Sequence, residues 1–183
     1  PDHALRAVRT SPALRRVHLP SGRGAAQDSR RRTAPGKRRV IEPAGDDGVA
    51  DAIKVLDSWG LIAFFEDEQP AASRMEEILV SSRGSGTALL MSVVNLGEVW
   101  YSLARAYSER KADRAIDEIQ RLGVDILAAG WWLVREAAAF KARGNIAYAD
   151  CFALGLAKAH GAPLVTGDPE FRQFEGKIRI HWL

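Results

Sequence analysis

The chain has 183 residues, of which 46% are hydrophobic, and it carries a formal net charge of +3. This length is typical of one domain with room for a short appendage. The single cysteine, Cys151, excludes an intramolecular disulfide framework and a cysteine-rich zinc site. No apolar run approaches the roughly 20 residues that a membrane span requires, so we expect a cytoplasmic protein without a membrane partner.

The positive charge is concentrated in the first 50 residues, which contain 11 Lys/Arg and 5 Asp/Glu, whereas residues 51–183 contain 15 and 18. The first segment has no aromatic residue, several prolines and no sustained hydrophobic period. Such a segment cannot bury enough apolar surface to offset the entropy of ordering it. We therefore expect residues 1–50 to be a basic, disordered extension and residues 51–183 to form the folded domain. Two roles remain open for the extension: an arm that tethers nucleic acid, or a segment without a role in the fold.

From residue 53 onward, strand patterns and helix patterns alternate. We predict strands over residues 53–56, 87–91, 124–127, 163–166 and 178–182, and helices over residues 58–66, 70–82, 92–107, 108–122, 131–143 and 146–160. This alternation indicates a parallel sheet with helices on both faces. The predicted fold is a three-layer α/β/α sandwich on a mainly parallel sheet.

Acidic residues follow the predicted strands at the positions where ligands bind such sheets. Asp57 directly follows the first strand, and Asp168 follows the strand that ends at Thr166. Glu98 lies about two turns into the helix after the second strand, and Asp150 lies early in the helix that leads to the 163–166 strand. Because the carboxyl ends of parallel strands lie at one edge of the sheet, we expect these acids to lie close together.

Each acid also has a purely structural explanation. Asp57 and Asp168 are suited to capping the helices that follow them, and Glu98 is suited to a solvated helix position. Asp150 is the only charge in an otherwise apolar helical segment, and an isolated buried carboxylate is costly unless it is paired or metal-bound. Capping near the start of that helix, with Asn145 as the cap residue, is the alternative for Asp150.

The four acids considered together indicate a metal site. Four neighbouring carboxylates repel one another and raise each other's pKa values unless a divalent cation neutralises them. Oxygen ligands without histidine suit Mg²⁺ or Mn²⁺ rather than zinc. A cation held in this way activates a water molecule and stabilises the charge that develops on a phosphodiester during hydrolysis.

Four segments in this order resemble the signature blocks of PIN-domain nucleases, and in particular those of VapC-type toxins from bacterial toxin–antitoxin pairs. The segments are Val55-Leu56-Asp57-Ser58, Asn95-Leu96-Gly97-Glu98-Val99, Tyr148-Ala149-Asp150 and Leu164-Val165-Thr166-Gly167-Asp168-Pro169-Glu170-Phe171. The resemblance covers about residues 53–183. One departure is that many relatives have a small hydroxyl residue shortly before the third acid, where this chain has Asn145-Ile146-Ala147.

The resemblance implies a divalent-metal-dependent endoribonuclease that acts as a toxin. It implies Mg²⁺ or Mn²⁺ as the cofactor, RNA as the substrate, a cognate antitoxin protein as the partner, and a homodimer. It assigns the metal to Asp57, Glu98, Asp150 and Asp168, and it assigns supporting polar roles to Ser58, Asn95 and Thr166. Two alternatives remain: a PIN-domain nuclease that processes RNA without being a toxin, and an inactive PIN-like binding module.

Several apolar residues are expected to serve packing or partner binding. Trp100, Trp131 and Trp132 have helical spacings that favour core or dimer packing over RNA stacking, and Cys151 is expected in the core. The surface that an antitoxin would cover is expected on helices near the acids and to include Trp59, Phe64 and Phe65. The chain lacks the G-x-G-x-x-G and G-x-x-x-x-G-K-[ST] fingerprints, which disfavours a nucleotide-binding domain.

Overall fold

The computed structural model describes residues 52–183, so the predictions for residues 1–50 lie outside the described part of the chain. Within it, five parallel strands form one sheet in the order β3-β2-β1-β4-β5. The strands are β1 (Ile53–Leu56), β2 (Ala88–Ser92), β3 (Val124–Leu127), β4 (Leu164–Thr166) and β5 (Ile180–Trp182).

Six α-helices connect these strands within residues 52–183. They are α1 (Ser58–Glu66), α2 (Ala71–Ser85), α3 (Val93–Ala106), α4 (Glu109–Arg121), α5 (Trp131–Lys141) and α6 (Tyr148–His160). A 3₁₀ helix over Pro169–Phe174 lies between β4 and β5. Every predicted helix and strand is present, and the 3₁₀ helix was not predicted.

Helices cover both faces of the sheet, which confirms the predicted three-layer α/β/α sandwich. Neighbouring strand residues alternate between two cores: Leu56 belongs to one core and Val55 to the other, and Val165 and Leu164 divide in the same way. Buried residues of α1 to α4 complete the first core, and those of α5, α6 and the 3₁₀ helix complete the second. The sheet between them is therefore apolar on both sides, as expected for parallel strands.

The strand order creates a crevice beside β1. Strands β2 and β3 lie on one side of β1. The chain then crosses over, and β4 and β5 lie on the other side. Connections therefore leave the carboxyl ends of β1 and β4 in opposite directions, and open α/β sheets bind ligands at such a point. Asp57 follows β1, and Asp168 follows β4.

Several predicted helix boundaries differ from the observed ones by one to three residues. Helix α2 continues through Gly84 to Ser85 and ends at Gly86, whose φ of 74° forms a left-handed cap. Helix α6 begins at Tyr148, because Ile146 packs into the second core before the helix starts. No helix in the 52–183 range has both the length and the apolar character needed to cross a membrane.

Some predictions about apolar side chains are wrong. Phe64 and Phe65 are buried in the first core and cannot form a partner surface. Trp131 is 76% exposed and Trp132 is also exposed, so neither packs in the core, and their predicted alternative role in dimer packing stays a prediction; Cys151 is buried as expected. Helix α5 instead uses its buried residues Leu133 and Ala137 for packing, and these contact α6 at Gly155. Trp100 is half-buried, and its indole N–H donates to the Asp113 carboxylate at 2.9 Å.

Candidate active site

Asp57 lies where the chain turns from β1 into α1. Its Oδ2 accepts hydrogen bonds from the Thr166 hydroxyl at 3.0 Å and from the Trp59 backbone N–H at 3.4 Å. Asp57 therefore caps α1, as the structural explanation of this residue proposed. Its other oxygen, Oδ1, is buried and has no hydrogen-bond partner in the described part of the chain. Capping accounts for one carboxylate oxygen and leaves the other unexplained.

Thr166 connects Asp57 with Asp168. The Thr166 hydroxyl donates to Asp57 Oδ2 and accepts a hydrogen bond from the Asp168 backbone N–H at 3.1 Å. Asp168 is half-buried, and its Oδ1 accepts from the backbone N–H two residues further on at 2.8 Å, so it caps the 3₁₀ helix. Because β1 pairs with β4, the Thr166 hydroxyl lies between Asp57 and Asp168 and bonds to both residues.

Gly167 allows α1 to approach the loop that carries Asp168. A Cβ atom at this position would lie less than 3.0 Å from three carbons of the Trp59 ring. The indole of Trp59 therefore packs on the backbone between Thr166 and Asp168. The close approach explains why the β4 loop has a glycine immediately before its acid.

Glu98 is held by hydroxyl groups on both of its carboxylate oxygens. Ser58, at the start of α1, donates to Glu98 Oε2 at 2.8 Å, and Tyr101 donates to Glu98 Oε1 at 3.0 Å. The Ser58 hydroxyl also lies 3.1 Å from the Asn95 carbonyl oxygen. These contacts place Ser58 beside Glu98; the supporting role that the resemblance implies for Ser58 stays a prediction.

Asn95 joins helix α3 to the start of α6. Its side-chain N–H donates to the Ala149 carbonyl oxygen at 3.0 Å, and its Oδ1 accepts from the Ser92 hydroxyl at 2.5 Å. Ser92 in turn caps α3 by accepting from the Asn95 backbone N–H at 3.1 Å. Because Asn95 precedes Glu98 by one turn and Ala149 precedes Asp150, this buried amide fixes the relative position of two acids.

Asp150 lies in the first turn of α6, where the partial positive charge of the helix N-terminus favours a carboxylate. The predicted capping role for Asn145 is wrong. The residue at the cap position is Ala147, whose side chain makes no capping bond. Asn145 instead exchanges backbone hydrogen bonds with the Gln173 side chain. Asp150 is nonetheless buried, so neither capping nor solvation accounts for it.

Burial and mutual repulsion raise the pKa values of two of the acids. Burial is the main cause that raises the pKa of Asp57 from 3.8 to about 7; the Thr166 hydrogen bond opposes this, and the charge of Glu98 adds to it. Burial also raises the pKa of Asp150 from 3.8 to about 8. The further charges that raise it are, in order, those of Asp57, Glu98, Asp168 and Glu170. The structure therefore brings the four predicted acids into one group of interacting charges.

The donor chemistry of this group fits a hard divalent cation. All four side chains offer oxygen, which Mg²⁺ and Mn²⁺ prefer. The unpartnered Oδ1 of Asp57 and the raised pKa of Asp150 are both features that a nearby positive charge would relieve. Within residues 52–183, no three His, Cys, Asp or Glu side chains are already grouped closely enough to enclose a metal ion.

Two residues near the acids were not singled out from the sequence. Tyr101 follows Glu98 by three residues, a spacing that puts both on one face of a helix and that the sequence does display. Glu170 adds negative charge near Asp150 from the exposed start of the 3₁₀ helix. No sequence signal distinguishes Glu170 from an ordinary surface acid, because its effect depends on how the 3₁₀ helix packs.

Solved structures with a similar fold come from bacterial toxin–antitoxin systems. VapC20 of Mycobacterium tuberculosis, a toxin that cleaves the sarcin–ricin loop, is 17% identical with a TM-score of 0.56, covering 67% of this chain and 95% of that chain. VapBC2 of Rickettsia felis bound to a promoter DNA fragment is 14% identical with a TM-score of 0.54, covering 70% and 97%. DNA-bound VapBC of Salmonella typhimurium is 18% identical with a TM-score of 0.54, covering 70% and 96%. These likenesses concern the fold.

The sequence itself matches a family profile. No curated protein matches the chain significantly. The profile described as PIN domain, however, matches residues 54–177, which is well over half of the chain. The match begins within β1 and includes Asp57, Glu98, Asp150 and Asp168. The chain therefore belongs to the PIN-domain family.

Proposed function

We propose that the chain is a divalent-metal-dependent endoribonuclease and the toxin of a toxin–antitoxin pair. The observation that carries this proposal is the buried Oδ1 of Asp57, which has no hydrogen-bond partner within residues 52–183. It lies in a group of acids whose burial and charges raise the pKa values of Asp57 and Asp150. Such a group does not stabilise the fold, because an unpaired carboxylate in the protein interior is destabilising. Binding a cation gives the group a use.

In the proposed site, Asp57, Glu98 and Asp150 would hold Mg²⁺ or Mn²⁺, and Asp168 would complete the site directly or through water. The bound cation would lower the pKa of a water molecule and offset negative charge on the phosphodiester. Around it, Thr166 keeps Asp57 Oδ2 occupied, so that Oδ1 is the atom left for a ligand. Asn95 keeps the helices of Glu98 and Asp150 in register.

The proposed substrate is single-stranded or loop RNA in the cytoplasm. The charges that act most strongly on Asp150 are all negative, so the acids do not themselves attract a phosphate. Phosphate binding would then require the cation together with Lys or Arg side chains at the rim of the site. Selectivity in such a site comes from unpaired bases and from the shape of the RNA.

A cognate antitoxin is the proposed partner. Solved complexes of similar fold include VapBC assemblies, and an inhibitor of this chain would have two ways to block the acids. It could place a basic side chain against them, or it could displace the cation. Tyr101 contacts Glu98, and Val93 and Tyr148 begin the helices that carry Glu98 and Asp150. All three are exposed and replace Phe64 and Phe65 as candidates for its contact surface.

A cleavage assay on a labelled stem–loop RNA tests the nuclease. We expect cutting in the loop, with Mg²⁺ or Mn²⁺ restoring activity after chelation, and a loss of about a thousandfold or more when Asp57→Asn or Asp150→Asn removes one ligand charge. Asp117→Asn is the matched control, because Asp117 is an exposed acid on α4. Full activity in excess chelator, or equal cutting of stem and loop, would contradict the proposal.

Expression in bacteria tests the toxin role separately. The full chain without an antitoxin should arrest growth, and the Asp57→Asn chain should not. A chain that cleaves RNA in vitro yet is harmless at high expression would refute the toxin role and leave the nuclease standing.

A further inference from the structure

Glu98 is the acid of this group whose position depends most on neighbouring hydroxyl groups. Asp57 follows a buried strand directly and Asp150 lies in the packed first turn of α6, so short side chains on fixed backbone place both carboxylates. Glu98 has a longer side chain with more rotatable bonds, and it is only half-buried. Its negative charge raises the pKa values of Asp57 and Asp150, so the same repulsion pushes Glu98 away from them.

Ser58 cannot hold Glu98 alone. Its hydroxyl has one hydrogen, and two acceptors lie within reach: Glu98 Oε2 at 2.8 Å and the Asn95 carbonyl oxygen at 3.1 Å. Whenever that hydrogen points to Asn95, Glu98 loses its bond from the buried side. Among the described residues, the other donor to Glu98 is Tyr101, whose hydroxyl donates to Glu98 Oε1 at 3.0 Å from the solvent side.

The exposure of Tyr101 indicates that this bond does little for the stability of the fold. The side chain is 45% exposed, so water would satisfy its hydroxyl in the unfolded chain and in a rotated side chain alike. Because the bond is exposed to solvent, bonds to water can replace it, and exposed interactions with a charged group contribute little net stability. The Tyr101 ring is nevertheless oriented so that its hydroxyl contacts the Glu98 carboxylate. This orientation is better explained by an effect on Glu98 than by an effect on stability.

We propose that Tyr101 is a positioning residue for Glu98, and that its hydroxyl holds this carboxylate where it serves as a cation ligand. The inference rests on the proposed function of the site. Each carboxylate oxygen has two lone pairs, so Oε1 can accept from Tyr101 and still bind a cation. Hydrogen bonds to ligating carboxylates orient them, and removing such a bond costs about 10- to 100-fold in metal affinity or activity.

Isothermal titration of the full chain with Mn²⁺ tests the inference, alongside cleavage kinetics on a single-stranded RNA. Tyr101→Phe removes the hydroxyl and keeps the ring. We expect its Mn²⁺ affinity to fall by about tenfold, near the lower end of the range for such bonds because the site is partly exposed. Its kcat should fall at a fixed low Mn²⁺ concentration, while its KM for RNA and its melting temperature stay unchanged.

Tyr107→Phe is the matched control. Tyr107 caps the end of the same helix, is 38% exposed, and its ring contacts Lys111 rather than an acid of the site. It should bind Mn²⁺ as the wild type does. A second comparison adds Tyr101→Phe to a chain that already carries Glu98→Gln, where no further loss of Mn²⁺ affinity is expected because the carboxylate that Tyr101 positions is gone.

The outcomes separate this inference from the proposed function. If the wild type binds Mn²⁺ and Tyr101→Phe binds it equally well or more tightly, Tyr101 does not position Glu98, and the nuclease proposal is unaffected. The positioning role is also refuted if Tyr101→Phe raises KM for RNA without changing Mn²⁺ affinity. It is refuted as well if Tyr101→Phe lowers Mn²⁺ affinity in the Glu98→Gln chain as much as it does in the wild type. If the wild type itself fails to bind Mn²⁺, both proposals are wrong.

Discussion

The buried acids predict that the metal-free chain becomes less stable as the pH rises. In the unfolded chain the Asp carboxyl groups titrate near 3.8, whereas in the folded chain Asp57 titrates at about 7 and Asp150 at about 8. Between these values the folded chain binds more protons than the unfolded chain, so the free energy of unfolding falls as the pH increases. The decline should begin above about pH 4 and level off above about pH 8.

The size of the effect follows from the pKa difference at Asp57. Each tenfold change in proton affinity corresponds to about 1.4 kcal/mol, so ionising Asp57 in the metal-free fold lowers the free energy of unfolding by about 4 kcal/mol. That is a large part of the roughly 5–15 kcal/mol by which domains of this size are stable. Asp57→Asn removes the charge, and its amide oxygen still accepts from Thr166. Its amide N–H₂, however, then stands without a described acceptor at the place of Oδ1, at a cost of about 1–3 kcal/mol.

The charge penalty of Asp57 and the cost of the unpaired amide predict a different order of stability for the wild type and Asp57→Asn at high and at low pH. Near pH 9 and without metal, Asp57→Asn should be more stable than the wild type by about 1–3 kcal/mol, because the lost charge penalty exceeds the cost of the unpaired amide. Near pH 5, where Asp57 is protonated in the folded chain, the variant should be no more stable than the wild type. Replacing a residue of the candidate site is thus expected to stabilise the fold in alkaline buffer.

Denaturant unfolding of the full chain in chelator, at several pH values between about 5 and 9, measures both expectations. Asp117→Asn serves as the control for removing an exposed charge. Adding Mg²⁺ should stabilise the wild type more at pH 9 than at pH 5, since ligand carboxylates must be deprotonated to bind a cation. It should stabilise Asp57→Asn much less. A wild-type stability that is independent of pH, or an equally steep decline in Asp57→Asn, would refute the reasoning.

Two further substitutions probe the end of β4 and the loop that follows it. Gly167→Ala forces the new Cβ against the Trp59 ring and should lower the free energy of unfolding by about 1–3 kcal/mol; Gly97→Ala, on the open face of α3, should not lower it. Thermal unfolding of both variants checks this, and a melting temperature of Gly167→Ala equal to that of Gly97→Ala would contradict it. Thr166→Val removes the hydroxyl that donates to Asp57 Oδ2, which should raise the pKa of Asp57 further and move the onset of Mg²⁺ binding to higher pH. Binding titrations across that pH range measure the displacement.

That the acids lie close together could be predicted, because the order and direction of the strands largely determine where they lie. Asp57 and Asp168 follow two strands that are neighbours and parallel, so their backbones must emerge at one edge of the sheet. Asp150 was singled out by its chemistry, as the only charge in an apolar helical segment. Ser58, Asn95 and Thr166 do contact the acids or their backbone, and the supporting roles that the resemblance implied for them stay predictions.

Other features were not predicted correctly, either because a pattern was misread or because they depend on how helices face one another. Phe64 and Phe65 were expected at a partner surface, yet α1 lies between α2, α3 and the sheet and is buried over most of its length. Its continuous apolar composition already favoured a buried helix. Helix α5 contacts α6 at Gly155 through Leu133 and Ala137, and Trp131 lies outside this contact and is exposed. Which face of α5 turns to α6 depends on that packing.

The same arrangement that makes the acids costly also keeps them in place. Val55 and Leu56 belong to opposite cores, so the strand that ends at Asp57 cannot move without disturbing both. The carboxylate therefore cannot relax toward water when it ionises, and its pKa rises instead. A flexible loop would let the same acid swing outward at little cost, and it would then have no energetic reason to bind a cation. If the proposed cation binds here, packing on both faces of the sheet is what makes its binding favourable, and Thr166 and Asn95 determine which oxygen atoms remain available to it.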